Sequence, residues 1–153
     1  MIEKDILTRL KNSIDSLEIL PPEQFGFRER HSTEDQIYRV VEYITEGFNR
    51  KRATCIASLD VEKAFDRVWH DGLVFKMLEF GFPFTLMRLL HSYLSDRSYY
   101  VSLGDAVSSL KRINAGLPQG AVLSPTLYSV LTADIPSTPS TEIGLYADNT
   151  VIM

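Results

Sequence analysis

The apolar positions Ile2, Ile6, Leu7, Leu10, Ile14 and Leu17 recur at three- and four-residue intervals, so the chain opens on an amphipathic helix. Pro21-Pro22 stops that rhythm and starts an extended loop running through Gly26 to His31. Ser32 followed by Asp35 has the spacing of a capping box. Ile37, Val40, Val41, Ile44 and Phe48 then align as one stripe of a second helix. The apolar run from Ala53 to Leu59 is too short for a helix and breaks at Asp60, which predicts a buried strand.

Asp71 predicts the cap of a helix reaching Phe80, with Gly81 at its C-terminal stop. Pro83 starts another, carried by Leu86, Leu89, Leu90 and Leu94. Ser98 to Leu103 and Val107 to Ile113 flank a Gly104-Asp105 turn and predict a β-hairpin. Gly116 to Gly120 forms a rigid loop, and Ser124-Pro125 starts the next helix, since proline suits the first helical position. Past a polar connection over Pro136 to Pro139, Glu142 to Ala147 and Thr150 to Met153 read as two strands around Asp148-Asn149. The last strand is expected to leave an open sheet edge. Helices and strands intermix without a repeat, so the class is α+β. A chain that stops inside a strand is expected to be a fragment.

Composition narrows the class. Hydrophobic residues make up 44% of 153, enough for one core and too little chain for two full domains. The N-terminus lacks an apolar signal region, and no stretch approaches the ~18 apolar residues of a membrane span. An intracellular chain off the membrane is expected. The sole cysteine, Cys55, lies in the Ala53–Leu59 run; it has no partner for an internal disulfide and reads as a buried, inert thiol. A net charge of −4 argues against a free-standing nucleic-acid binder. It is compatible with a site that gathers carboxylates around cations.

Asp60 ends an apolar strand, and Asp148 sits in the turn of a second apolar hairpin. Two acids at the ends of neighbouring strands suit hard cations, which take oxygen ligands and leave positions open for phosphates. Asp is also a common turn residue, so spacing alone leaves both a cation site and a solvated turn open.

The wording around these acids adds a resemblance. Gln24-Phe25-Gly26-Phe27-Arg28 with His31-Ser32-Thr33 resembles the fingers signature of reverse transcriptases from non-LTR (LINE-type, jockey-like) retrotransposons. Leu59-Asp60-Val61-Glu62-Lys63-Ala64-Phe65-Asp66-Arg67-Val68-Trp69-His70 is similar to their first palm motif. Tyr93-Leu94-Ser95-Asp96-Arg97, then Gly116-Leu117-Pro118-Gln119-Gly120 with Leu123-Ser124-Pro125, resemble the next two. Tyr146-Ala147-Asp148-Asn149-Thr150 stands where a Tyr-x-Asp-Asp turn belongs. All five occur in family order from about Ile2 onward. An unrelated Mg²⁺-dependent phosphohydrolase would account for the acids and not for the rest.

The resemblance implies a fingers-palm core: a partial fingers portion over 1–52, and over 53–153 a partial palm with an antiparallel sheet and helices on one face, truncated before the thumb. It implies an RNA-directed DNA polymerase working on an RNA template, a DNA primer and deoxynucleoside triphosphates. Two Mg²⁺ ions, or Mn²⁺, would rest on Asp60, Asp148 and the Val61 backbone carbonyl. Phe65 would lie beneath the incoming sugar and exclude a 2′-hydroxyl. Gln119, Gly120 and Tyr146 would line the nucleotide and template. Arg28 and Arg30 would touch template or triphosphate, though loop arginines also read as plain surface. His31 reads as a cap or surface residue, and Asp66 and Trp69 as local supports. Cytoplasm and nucleus are the expected location, with further fingers, palm and thumb segments in the full-length protein. Asn149 departs from the pattern, standing where the family has a second aspartate, and predicts weakened metal binding. The rival reading is a non-enzymatic remnant, at most a nucleic-acid or protein binding module.

Overall fold

The computed structural model describes residues 2–136 and 141–153; the polar connection expected at Pro136 to Pro139 falls outside them beyond Pro136. Its elements are helices α1 (Ile2–Ser16), α2 (Thr33–Asn49), α3 (His70–Glu79), α4 (Phe84–Leu94) and α5 (Ser124–Leu131). The strands are β1 (Ala57–Asp60), β2 (Ser98–Tyr99), β3 (Ser102–Leu103), β4 (Ala106–Val107), β5 (Lys111–Arg112), β6 (Ile143–Tyr146) and β7 (Asn149–Ile152). The class is α+β, as expected.

Local chemistry accounts for the helix ends. The Ser32 side chain accepts from the Asp35 backbone N–H, and Asp35 returns the bond to the Ser32 N–H at 3.0 Å, completing the capping box of α2. At the end of α3, Phe82 N–H donates to the Met77 carbonyl and Gly81 N–H to that of Leu78. Gly81 takes φ 78°, the left-handed value such a stop requires. Buried Phe82 and Met77 supply the hydrophobic contact across it. Asp71 is not the cap of α3: the helix starts one residue earlier, at His70, and Asp71 lies in its first turn, where its charge suits the helix dipole.

The main core is helical. Ile6, Leu10 and Ile14 of α1 pack with Leu73 and Met77 of α3, Leu90 and Leu94 of α4, and Leu127 and Val130 of α5. Ala64, Val68 and Leu117 close the cluster from the connecting loops.

The three-stranded sheet has the order β1-β7-β6, antiparallel throughout. This corrects the expectation of an open edge on the last strand: β7 is central. The outer edge of β6 is covered by the fingers-like stretch, where Phe25 N–H donates to the Leu145 carbonyl at 2.9 Å and Leu145 N–H to that of Glu23 at 3.0 Å. The edge strand is β1. It starts at Ala57 rather than Ala53, carries Asp60 within it, and is exposed along its whole length. Cys55 is likewise exposed, against the expectation of a buried thiol. Among the described elements β1 has β7 as its one packing neighbour, so its strand faces stay open.

The hairpin over 98–113 forms with an irregularity. Tyr99 pairs with Lys111, whereas Ser108 N–H bonds to the Val101 carbonyl, so Tyr100 stands opposite both Ser109 and Leu110. That one-residue bulge divides the hairpin into two short ladders.

Candidate functional site

In the β1–β7 register Asp60 stands opposite Asn149, and in the β6–β7 register Asn149 stands opposite Tyr146. Ala147 and Asp148 are the two residues between, so Asp60, Tyr146, Asp148 and Asn149 share one end of one sheet. Ala147 takes φ 58°, a left-handed value at the first central position of a two-residue hairpin turn. A non-glycine residue held there stores strain, which neighbouring packing has to sustain. Gly26 provides that packing. A Cβ at Gly26 would run into the Ala147 backbone nitrogen, so only glycine lets the fingers-like loop press against the turn.

A third group reports on both acids. Tyr128 of α5 is buried, and its phenol is raised above the usual tyrosine range, first by that burial and then by the charges of Asp148 and Asp60. The Asn149 amide donates to Asp148 Oδ1 at 3.3 Å. An aspartate at 149 would place a second charge there, whereas the amide donates a hydrogen bond to the first.

Phe65 connects this end of the sheet to the helical core. It lies in the turn after β1, with its ring centroid 5.1 Å from that of Tyr128 at an interplanar angle of 30°. The loop from Gly116 to Gly120 is tied to the same turn. Leu117 N–H donates to the Phe65 carbonyl and Gly116 N–H to that of Val68, both at 2.8 Å. Gly116 takes φ 91°, and a Cβ on it would approach the Asp66 carbonyl to 2.8 Å. Gln119 is exposed, and its amide donates to Asp66 Oδ1 at 3.0 Å. His70 Nε2 lies 2.7 Å from the Gly116 carbonyl oxygen. Asp66 and His70 therefore hold the glycine loop.

Of the residues singled out from the sequence, Asp60, Val61, Phe65, Gln119, Gly120, Tyr146, Asp148 and Asn149 fall on these elements. Arg28 is drawn elsewhere: its guanidinium donates to the Pro21 carbonyl at 3.1 Å and borders a cavity of about 410 Å³ against α1. His31 bonds through Nδ1 with the Glu29 carbonyl oxygen at 2.8 Å, a local turn contact. Tyr128 was missed. The signal was present, since an aromatic four residues past Ser124 falls one helical turn inside α5, but its neighbours come from other elements.

As a donor set, two carboxylates, the Asn149 amide oxygen and the Val61 carbonyl are all hard oxygens, the kind that Mg²⁺ takes. Among the described residues no three or more His, Cys, Asp or Glu gather as a metal cluster. The set fits a divalent ion shared with substrate phosphates better than a closed protein cage.

The family model described as "Reverse transcriptase (RNA-dependent DNA polymerase)" matches residues 1–153. The chain belongs to the reverse transcriptase family. It is 43% identical over 161 residues to the RNA-directed DNA polymerase from mobile element jockey of Drosophila melanogaster, covering 100% of this chain and 18% of that protein. To the probable RNA-directed DNA polymerase from transposon X-element of the same species it is 38% identical, over 95% of this chain and 16% of that one. Apo telomerase from Candida tropicalis superposes with a TM-score of 0.69 at 12% identity, over 97% of this chain and 33% of that structure. That likeness bears on the fold alone. This reverse transcriptase segment thus spans less than a fifth of the length of these two curated relatives. No helix among its described residues is long and apolar enough to cross a membrane.

Proposed function

We propose that this segment is the nucleotidyl-transfer part of an RNA-directed DNA polymerase of a non-LTR retrotransposon. A partial fingers portion (1–52) would lean on a partial palm (53–153). The observation that carries the reading is the strand register, which opposes Asp60 to Asn149 and sets Asp148 beside them. Asp60 and Asp148 would hold two Mg²⁺ or Mn²⁺ ions, with help from the Val61 carbonyl. Such ions, when bound, favour loss of the proton from a primer 3′-hydroxyl and stabilise charge on the departing pyrophosphate.

The chain's own residues do the placing. Phe65 presents an aromatic wall where a 2′-hydroxyl would project, selecting deoxynucleoside triphosphates. Gln119, fixed by Asp66, and Gly120 support the template base, and Tyr146 supports the primer end. Catalysis then rests on orientation and on charge arranged before the reaction begins. The working partners would be an RNA template and a DNA primer, in cytoplasm and nucleus, with the remaining fingers, palm and thumb supplied by the longer protein.

Asn149 favours a second reading, a remnant that no longer polymerises. A neutral amide beside Asp148 removes one negative charge from the donor set, so metal affinity falls. The test substitutes this chain for the matching segment of the jockey polymerase and follows primer extension on an RNA template. Asn149→Asp is expected to raise the rate about tenfold or more, the scale of disturbances around metal ligands. Equal, robust synthesis by both forms would overturn the impairment. Synthesis by neither leaves the remnant reading in place of the polymerase.

A further inference from the structure

Phe27 has no role in the scheme above, yet its position is unusual. Its backbone φ is 58°, a left-handed value that aromatic residues rarely adopt. The residue remains 43% exposed, so burial does not explain the placement. What the ring does touch is Phe65, edge to face, with centroids 6.0 Å apart and planes at 75°. Phe65 is thus held from two sides, by Tyr128 in a tilted stack and by Phe27 across its edge. The two supports differ in kind. Tyr128 is buried within α5, whereas Phe27 sits on the fingers-like loop, directly after the glycine that presses on the Ala147 turn. Beyond Phe27 lies the cavity of about 410 Å³ that it borders together with Leu7, Leu20 and Thr126. Removing the Phe27 ring would add its volume to that cavity and leave the edge of Phe65 without its partner.

We propose that Phe27 is a positioning residue for sugar selection, holding the Phe65 ring against the space of a 2′-hydroxyl. The inference rests on the polymerase reading and deepens it. A wall that discriminates by bulk works only while it cannot tilt, and Phe27 removes the direction of tilt that Tyr128 leaves open. Because the loop carrying Phe27 is bonded to β6 and packed on the carboxylate turn, the wall is also kept in register with Asp148.

The test is calorimetric titration of the same jockey-polymerase hybrid, held on a primer–template, with deoxyadenosine triphosphate and adenosine triphosphate in Mg²⁺. The unaltered hybrid is expected to prefer the deoxynucleotide. Phe27→Gly deletes the ring at a φ that glycine adopts freely, leaving the loop unstrained. It should lower the preference about tenfold, within the range a hydrophobic wall supplies. Phe27→Asn, another residue that tolerates this conformation, repeats the deletion should glycine loosen the loop. Phe27→Tyr keeps the ring and should keep the preference. Phe65→Ala should lose it to the same degree, and adding Phe27→Gly to that background should change nothing further. An unchanged preference in Phe27→Gly, or a full further loss in the Phe65→Ala background, overturns the inference and leaves the polymerase reading standing. Binding of neither nucleotide by the unaltered hybrid overturns both.

Discussion

Helices α5 and α2 are each announced by a local start signal and meet opposite fates. The eight residues of α5 include six that are buried: Ser124, Thr126, Leu127, Tyr128, Ser129 and Val130. The seventeen of α2 bury only Gln36, although the helix is capped on both counts and carries a clear apolar stripe. Ile37, Val41 and Phe48 of that stripe are exposed. An amphipathic pattern specifies which face of a helix is apolar; it does not supply the surface that covers it. α5 has α1 and α3 against it, with Phe65 stacked on its tyrosine. α2 meets the sheet through β6 and an Arg39–Glu142 ion pair; Val40 and Ile44 of its stripe are half-buried, and Ile37, Val41 and Phe48 are left uncovered.

The contrast predicts a graded response to substitution. Leu127→Ala, at a fully buried position of α5, should cost about 2–5 kcal/mol in urea unfolding, the range for large-to-small changes in a packed core. A cost below about 1 kcal/mol would place α5 outside the cooperative core. Ser32→Ala removes the cap of α2 and should cost about 1 kcal/mol, measured the same way. A smaller effect attaches to Tyr93 of α4, whose hydroxyl donates to Glu3 of α1 at 2.9 Å. Burial, followed by that bond, pushes its phenol from 10.0 up to about 12. The folded value is the higher one, so its stabilisation is whole below pH 10 and is lost as pH rises toward about 12. Melting curves across that window should fall less steeply for Tyr93→Phe; equal slopes would mean the bond does not persist in solution. Least of all, Phe48→Ser on the open stripe of α2 should change stability within about 0.5 kcal/mol. A loss comparable to that of Leu127→Ala would show the stripe to be covered after all.

Much of the fold was legible because its signals are local. The capping box at Ser32, the stop at Gly81, the proline that begins α5 and the turn at Gly104-Asp105 each depend on a few adjacent residues, and each appears where the pattern placed it. The edge position of β1, the exposure of Cys55 and the central place of β7 were not legible, since they depend on which segments meet in space. The bulge at Tyr100 was equally hidden, because alternation cannot reveal where a register slips by one. The candidate site divides along the same line. Asp60 and Asp148 stood out by following apolar runs. Tyr128 and Phe27, which touch the same ring from distant parts of the chain, did not.

The central place of β7 has a consequence for assembly. Asp60 emerges about ninety residues before the partner that its strand must find, and β1 and β6 share no ladder of their own. Until β7 arrives, the two carboxylates belong to unconnected pieces of polypeptide. Contacts that distant in sequence form slowly, because a long loop must close before any bond rewards it. Newly made chains therefore pass through an interval in which the helical core can form while the acidic end of the sheet has yet to exist.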